Sequence, residues 1–538
     1  MRASHAGVNL ARRDQVQGDH APGTKNGLGT KNGPGTRNQG PGTSSWFLLA
    51  FLALTGAFWT FRTLPFIAED CYFYAIIARN LATRGVQSFW GLEPTNGFHP
   101  LWLYLLGGYT WIVSRLSTAA LYHAAYGVPL SLTLLGVGAV NWMFVADKAR
   151  LPRAALVVPQ VLFLSIFGLL YSEAHASFCA LSFFARAIAA EEDDGRARPM
   201  QVGLAGAAAF LARLDSLFFV AAVGLWYLVR RTSARQAMVM AAAFALPAVA
   251  YVASNAVFFG SLAPVSGFLK STFPTPNVRG IGIFPGHPVI TLSGYSLPFG
   301  WLPLVVGSAT ALLRRRRLEG AQTLLYPLVA GCAGHAVYTG FFTAGFTDWY
   351  WYYVLPVLLL SWSAGCWLKD IWSPRLDFSA HLAALALLVV ALFGTRFATP
   401  TEGRLPALIT LRIVNELGID RSTLFVSEWP GTVGFYTHNE IIAGDMLTSN
   451  RRLVNRMKAS PNAIPVLFDE AQRHGAPVRY LLYNGGIFFR PSADFHELDY
   501  MDPRMIDNAH GHVIGHIRLG PPLLNRDGIV VWKVDEAP

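Results

Sequence analysis

Apolar runs long enough to cross a hydrocarbon layer of ~30 Å, which takes roughly 17 to 25 helical residues each, recur from Trp46 to about residue 398. Backbone immersed in lipid must satisfy its own N–H and C=O groups, so such runs fold as helices packed on one another. The approximate spans are 46–64, 101–116, 122–146, 154–170, 173–189, 201–229, 236–259, 295–313, 321–342, 353–368 and 381–397, about eleven in all. Residues are 53% hydrophobic and only 14% charged, against about a quarter charged in soluble proteins, which excludes a soluble enzyme. The fold class expected is a multi-pass α-helical membrane protein with a small carboxyl-terminal α/β domain outside the membrane.

Sidedness follows from the short basic loops, since Lys and Arg are retained on the cytoplasmic side. Arg230, Arg231 and Arg235, the run Arg314 to Arg317, and Lys369 with Arg375 fall inside by this count, as does the amino-terminal tail. An odd number of spans then sends the carboxyl-terminal part outside. Lys148, Arg150 and Arg153 resist the scheme, because the same count turns them outward. The net charge of +11 resides largely in these loops and the tail; it reads as a topology signal with attraction to membrane lipid headgroups, and gives no reason to expect nucleic acid as a partner. Residues 1–45 carry the near-repeat GTKNGL, GTKNGP, GTRNQGP, which cannot bury apolar surface and is expected to be a disordered basic cytoplasmic tail. The run beginning at Trp46 lacks a small-residue cleavage site and reads as a retained span.

Within the polytopic region, 46–398, two outside segments are too long and too patterned for simple turns: 65–100 and 260–294. In the first, Tyr72, Ala75, Ile76, Arg79, Leu81 and Ala82 give a helical alternation that predicts a helix on the membrane surface. Pro264, Pro274, Pro276, Pro285 and Pro288 break the second into a structured loop or lid. From residue 399 the composition turns ordinary, and strand-like runs at 424–427, 480–483 and 528–534, with a helical stretch from Arg451 to Ala459, predict an α/β domain over 399–538. Four scattered cysteines form no disulfide framework or CxxC metal pattern.

A few polar residues need a reason to be where they are. Glu69 and Asp70 are adjacent carboxylates just past the first span, where an ionisable pair is costly unless solvated or functional; the plain alternative is a solvated helix start with Asp70 as N-cap. Lys270, with Ser266 and Ser271 beside it, can stabilise charge on a phosphate, or simply snorkel to lipid headgroups. The stretch GFLKS lacks the spaced glycines of a nucleotide phosphate loop. Arg213 and Asp215 interrupt an apolar stretch of 201–229, which requires that they pair, face a cavity or mark a helix break; a structural ion pair and a substrate contact both fit. His99 stands between aromatic residues at the start of a span, as a structural or a catalytic imidazole. Asp348 precedes Trp349, Tyr350, Trp351, Tyr352 and Tyr353, a belt that suits either interfacial anchoring or stacking on a sugar. His510, His512 and His516 share a face of a strand but have no accompanying acidic or Cys ligand. No DxD triplet and no dinucleotide fingerprint occur, which disfavours a nucleotide-sugar donor.

The order of these features resembles the glycosyltransferase C (GT-C) superfamily, in the branch containing protein O-mannosyltransferases, aminoarabinose transferases and bacterial envelope arabinosyl- and mannosyltransferases. The matching pieces, spread over most of 46–400, are Glu69-Asp70, the helix Tyr74 to Leu81, Asn96-Gly97-Phe98-His99-Pro100-Leu101-Trp102, Ala212-Arg213-Leu214-Asp215, the run Asn255 to Ser271, and Asp348-Trp349-Tyr350. The resemblance implies an enzyme of the bacterial plasma membrane that moves a sugar, with inversion, from a polyprenyl-phosphate carrier to an envelope glycan, lipid or protein. It implies a first-loop carboxylate as general base, Asp70 with Glu69 as alternate, and Lys270, His99, Arg213, Asp215, Ser266, Asp348 and Asn96 as substrate-binding residues. Glu69 departs from the pattern, since many relatives have Asp there, and leaves the choice of base open. No cofactor is certain, and a divalent cation is left open. The competing classes are a transporter or lipid-linked sugar flippase, and a non-catalytic assembly or sensor protein that binds a partner through its carboxyl-terminal domain.

Overall fold

The computed structural model describes residues 42–61, 69–116 except 92, 127–166, 172–397 except 195, 232, 284–288 and 345–349, most of 411–484, and the strands 511–517 and 529–534. The amino-terminal tail to residue 41 and the region around His510 lie outside the described residues.

The helices α1 (Gly42–Phe61), α2 (Glu69–Arg84), α3 (Pro100–Leu116), α4 (Val128–Lys148), α5 (Arg153–Ile166), α6 (Ala174–Asp194) and α7 (Pro199–Ala212) follow one another, then α8 (Leu217–Arg231), α9 (Ala234–Phe259) and the short α10 (Val265–Lys270). After a small antiparallel sheet of β1 (Ile281–Ile283), β2 (Ile290–Leu292) and β3 (Tyr295–Ser296) come α11 (Leu302–Leu313), α12 (Leu325–Phe341), α13 (Val354–Leu368) and α14 (Pro374–Phe397). By length and composition, four described helical stretches can cross a membrane unaided: Val128–Lys148, Ala234–Phe259, Tyr350–Leu368 and Pro374–Ala391. Shorter apolar helices, such as Arg153–Ile166, Pro199–Ala212 and Leu214–Val229, pack among them. The longest helix, α9, has 26 residues and rises about 39 Å. It begins with a capping box, Ser233 and Gln236 bonding each other's backbone N–H, and ends at Gly260, whose φ of 64° is left-handed.

Small residues set the helix crossings. A Cβ on Gly203 of α7 would lie 2.3 Å from the Met240 carbonyl of α9, and one on Gly331 of α12 would lie 2.7 Å from Cα of Phe219 in α8, so these pairs approach at backbone distance as lipid-embedded helices do.

The structure changes three expectations. The run 201–229 is not one helix: it breaks after Ala212, turns through Leu214–Ser216 and restarts at Leu217. The first-loop helix α2 is formed, but instead of lying on a surface it is buried on almost every side, with Cys71, Ile77 and Ala78 at 1% exposure or less. The covering element comes from the carboxyl-terminal part, where Arg79 donates to the carbonyls of Gly434 and Phe435 and Tyr72 shares a hydrogen bond with Tyr436. Finally, the 148–153 loop shares an end of the bundle with the other basic loops. Gln322 Nε2 donates to the Ala149 carbonyl, the Ala154 N–H to Asp377, and Lys369 to the Arg317 carbonyl. Lys148, Arg150 and Arg153 therefore share a side with the basic loops from which the span count separates them; Arg153 is also paired with Asp147 at 2.6 Å.

The carboxyl-terminal residues build a five-stranded mixed sheet in the order β5-β4-β6-β8-β7. Its strands are β4 (Thr423–Val426), β5 (Glu440–Ala443), β6 (Val478–Asn484), β7 (Gly511–Ile517) and β8 (Ile529–Val534). Parallel β4–β5 and β4–β6 pairs join antiparallel β6–β8 and β8–β7. The intervening helices are α15 (Pro430–Thr437), α16 (Arg451–Ala459) and α17 (Ala463–Arg473); α15 is the one packed on α2.

Candidate active site

A cavity of about 930 Å³ lies at the end of the bundle away from the basic loops, of a size that holds a sizeable ligand. Widely separated stretches of sequence line it, and its polar side chains come from several of them. Asp70 and Tyr74 come from α2, one helical turn apart; His99 precedes α3; Glu173 precedes α6; Arg213 and Asp215 stand at the α7–α8 break; Ser266 and Lys270 belong to α10; Arg451 and Asn455 belong to α16.

The centre is organised by Arg213. Its guanidinium donates from Nε to Asp215 at 2.8 Å and from Nη2 to the other carboxylate oxygen at 2.9 Å, and from Nη1 to Glu173 at 2.5 Å. The Tyr352 ring lies against its plane, 4.4 Å from ring centre to Cζ. Asp215 in turn meets His335 Nε2 at 3.2 Å, and the other nitrogen of His335 meets the Tyr295 hydroxyl at 2.9 Å. Glu173, Arg213, His335 and Tyr295 are buried and Asp215 partly so, and the helix break is what allows the network: with α7 ended at Ala212, Arg213 adopts an extended backbone and turns its side chain between two carboxylates. A buried arginine flanked by two anions is held rigidly.

His99 is placed by its own backbone and ring. Its N–H donates to the Tyr74 hydroxyl at 3.1 Å, and its Nδ1 accepts from the Leu214 N–H at 3.2 Å. An Nδ1 that accepts carries no proton, so the neutral ring bears its hydrogen on Nε2, which faces Glu173 at 3.8 Å. Burial, followed by the Arg213 charge, pushes the pKa of His99 down to about 3, so this imidazole is a hydrogen-bond donor and not a cation.

Asp70 differs from the other two carboxylates of the cavity. Glu173 and Asp215 are bound to Arg213, whereas no hydrogen bond or ion pair from the described residues engages the Asp70 carboxylate. Burial raises its pKa above the ordinary 3.8; Lys270 and Arg213 act to lower it, and Glu173 to raise it.

Of the residues singled out in the sequence, Asp70, His99, Arg213, Asp215, Ser266 and Lys270 converge on this cavity. Asn96 stands behind it: its side chain accepts from the Val265 N–H at 3.1 Å and donates to the Ala263 carbonyl at 3.3 Å, pinning the start of α10. Glu69 is the first residue of α2, but its side chain lies outside the described residues, as does Asp348. Of the aromatic run after Asp348, Trp351 and Tyr353 are buried, and the Tyr353 hydroxyl accepts from the Ser296 N–H. Interfacial anchoring therefore does not account for these two rings. Sequence reasoning missed Glu173, His335 and Arg451. Glu173, a lone carboxylate opening an apolar run, carried the same signal as Asp70. As for a divalent cation, no group of three or more His, Cys, Asp or Glu side chains among the described residues is placed to hold one.

No sequence-family profile matches this chain, and no curated protein matches it in sequence. Solved structures do resemble it in shape. ArnT from Cupriavidus metallidurans, bound to undecaprenyl phosphate, superposes with a TM-score of 0.53 at 13% identity, covering 92% of this chain and 99% of ArnT. Arabinofuranosyltransferase AftD from Mycobacteria gives a TM-score of 0.46 at 15% identity over 92% of this chain and 40% of AftD. The likeness to ArnT, over nearly the whole of both chains, gives this protein the fold of that structure.

Proposed function

We propose that this protein transfers a sugar from a polyprenyl-phosphate carrier to a glycan, lipid or protein of the cell envelope, with Asp70 as general base. The observation that carries the reading is the state of the three cavity carboxylates: two are committed to Arg213, and Asp70 alone among them has no hydrogen-bond or ion-pair partner among the described residues. In the reaction Asp70 takes the proton of an acceptor hydroxyl as its oxygen attacks the anomeric carbon. The bond from that carbon to the phosphate oxygen breaks, its electron pair stays on the oxygen, and the carrier leaves as polyprenyl phosphate. Attack from the face opposite the phosphate inverts the anomeric centre. General-base assistance of this kind is worth ~10²–10⁴ in rate. Lys270 stabilises the charge gathering on the leaving phosphate. His99 offers an Nε2–H at the cavity wall, and the Arg213 cluster fixes the floor against which substrate is oriented.

The clustering of the 148–153, 314–317 and 369 loops at one end supports a cytoplasmic assignment for that end. The cavity and the carboxyl-terminal sheet then lie on the other face, where envelope acceptors are. ArnT's capture with undecaprenyl phosphate supports a carrier of that chemistry for a chain of the same fold.

The test is reconstitution of the full chain in vesicles with polyprenyl-phosphate-linked sugars and envelope extract. Glycosylated product appearing together with free polyprenyl phosphate is the expected result. Movement of labelled lipid-sugar across the bilayer with no glycosylated product would overturn the reading in favour of a flippase.

A further inference from the structure

We infer that Arg451, contributed by the carboxyl-terminal part of the chain, is a substrate-binding cation of this cavity and grips the carrier phosphate opposite Lys270; the inference rests on the lipid-phosphate reading above. Arg451 opens α16 and lines the cavity with Asn455, although more than 180 residues of sequence separate it from α10. Its guanidinium lies over the ring of Phe268, two positions before Lys270, a Cα separation of roughly 5 Å in a helix. Ring stacking fixes the guanidinium plane while leaving its edge N–H groups directed past the ring.

The contrast with Arg213 is informative. Arg213 is saturated by two carboxylates, whereas no carboxylate among the described residues pairs with the half-buried Arg451. A cation held at a cavity wall without a counterion is suited to an anion that arrives with the substrate. Lys270 supplies a point charge, and Arg451 a planar fork able to take two phosphate oxygens.

The helix bearing Arg451 is not loosely appended. The Asn450 side chain caps it, accepting from the Leu453 N–H at 2.9 Å, while its amide reaches the Glu93 carboxylate. Thr95 Oγ1 donates to the Ser449 carbonyl at 2.8 Å. Next along, Asn96 holds α10. One stretch, 93–96, therefore positions both cation-bearing helices against each other.

The experiment measures undecaprenyl phosphate binding to the full-length protein in detergent, for wild type, Arg451→Gln and Arg451→Lys, with monodispersity and thermal unfolding checked for each. Wild type should bind, Arg451→Gln should bind about tenfold or more weakly, and Arg451→Lys should recover part of the loss. A second measurement needs no variant: the lipid should protect Arg451 of wild type from an arginine-directed dicarbonyl reagent, read by peptide mass spectrometry. Equal binding by wild type and Arg451→Gln, or unprotected Arg451 in the lipid-bound protein, would overturn the inference and leave the transferase reading standing. Failure of wild type itself to bind the lipid would overturn both.

Discussion

At the scale of single residues, chemistry is divided by pairing. Glu173 and Asp215 are each bound to Arg213, whereas no described residue hydrogen-bonds or ion-pairs with the Asp70 carboxylate. A general base must be deprotonated to act, so kcat/KM should rise with pH through the Asp70 pKa. Because burial raises that pKa, the acid limb should lie above the ordinary 3.8. Lys270 opposes the shift, so Lys270→Gln should move the limb to higher pH; a move to lower pH would contradict the assigned electrostatics. His99, with a pKa of about 3, should add no limb near 6.5. Asp70, Arg213, Asp215 and Lys270 were legible in the sequence because a charge in or beside an apolar run needs a reason. His335 was not, since a lone histidine inside an apolar helix looks like any satisfied core residue. Sequence could not separate Glu69 from Asp70 either, because side-chain pairing is a property of the folded cavity.

At the scale of elements, the break between α7 and α8 and the burial of α2 position the site. Arg213→Met should be far more damaging than Glu173→Gln. The first strands the buried Glu173 and the partly buried Asp215 without their cation and should cost about 3–5 kcal/mol. The second leaves Arg213 with Asp215 and should cost about 1–3 kcal/mol. Thermal unfolding of the solubilised variants measures both, and the reverse order would contradict the network. Hydropathy alone drew one span through 201–229, since two charges do not outweigh the surrounding apolar residues in a sliding average; the charges themselves were the better guide. The α2 alternation gave the helix but not its cover, because α15, which buries it, lies some 350 residues away in sequence, as the Arg79 to Gly434 contact shows.

At the scale of the molecule, the bundle, its basic end and the strands near 424, 480 and 529 could be read from apolar runs, loop charges and alternation. What could not be read is how the carboxyl-terminal sheet and helices meet the bundle: Thr95 with Ser449, Arg79 with the carbonyls of α15, and Arg451 at the cavity wall are pairings between distant segments with no local signal. The result is a cavity whose walls come from distant parts of the chain, lined by one carboxylate, Asp70, that no described residue pairs. The most direct test is single-turnover sugar transfer from polyprenyl phosphate by reconstituted wild type and Asp70→Asn, with carrier binding measured alongside. Asp70→Asn should remain folded, bind the carrier as wild type does, and lose roughly 10²–10⁴ of the transfer rate. Transfer at the wild-type rate by a folded Asp70→Asn protein would contradict the assignment of the base.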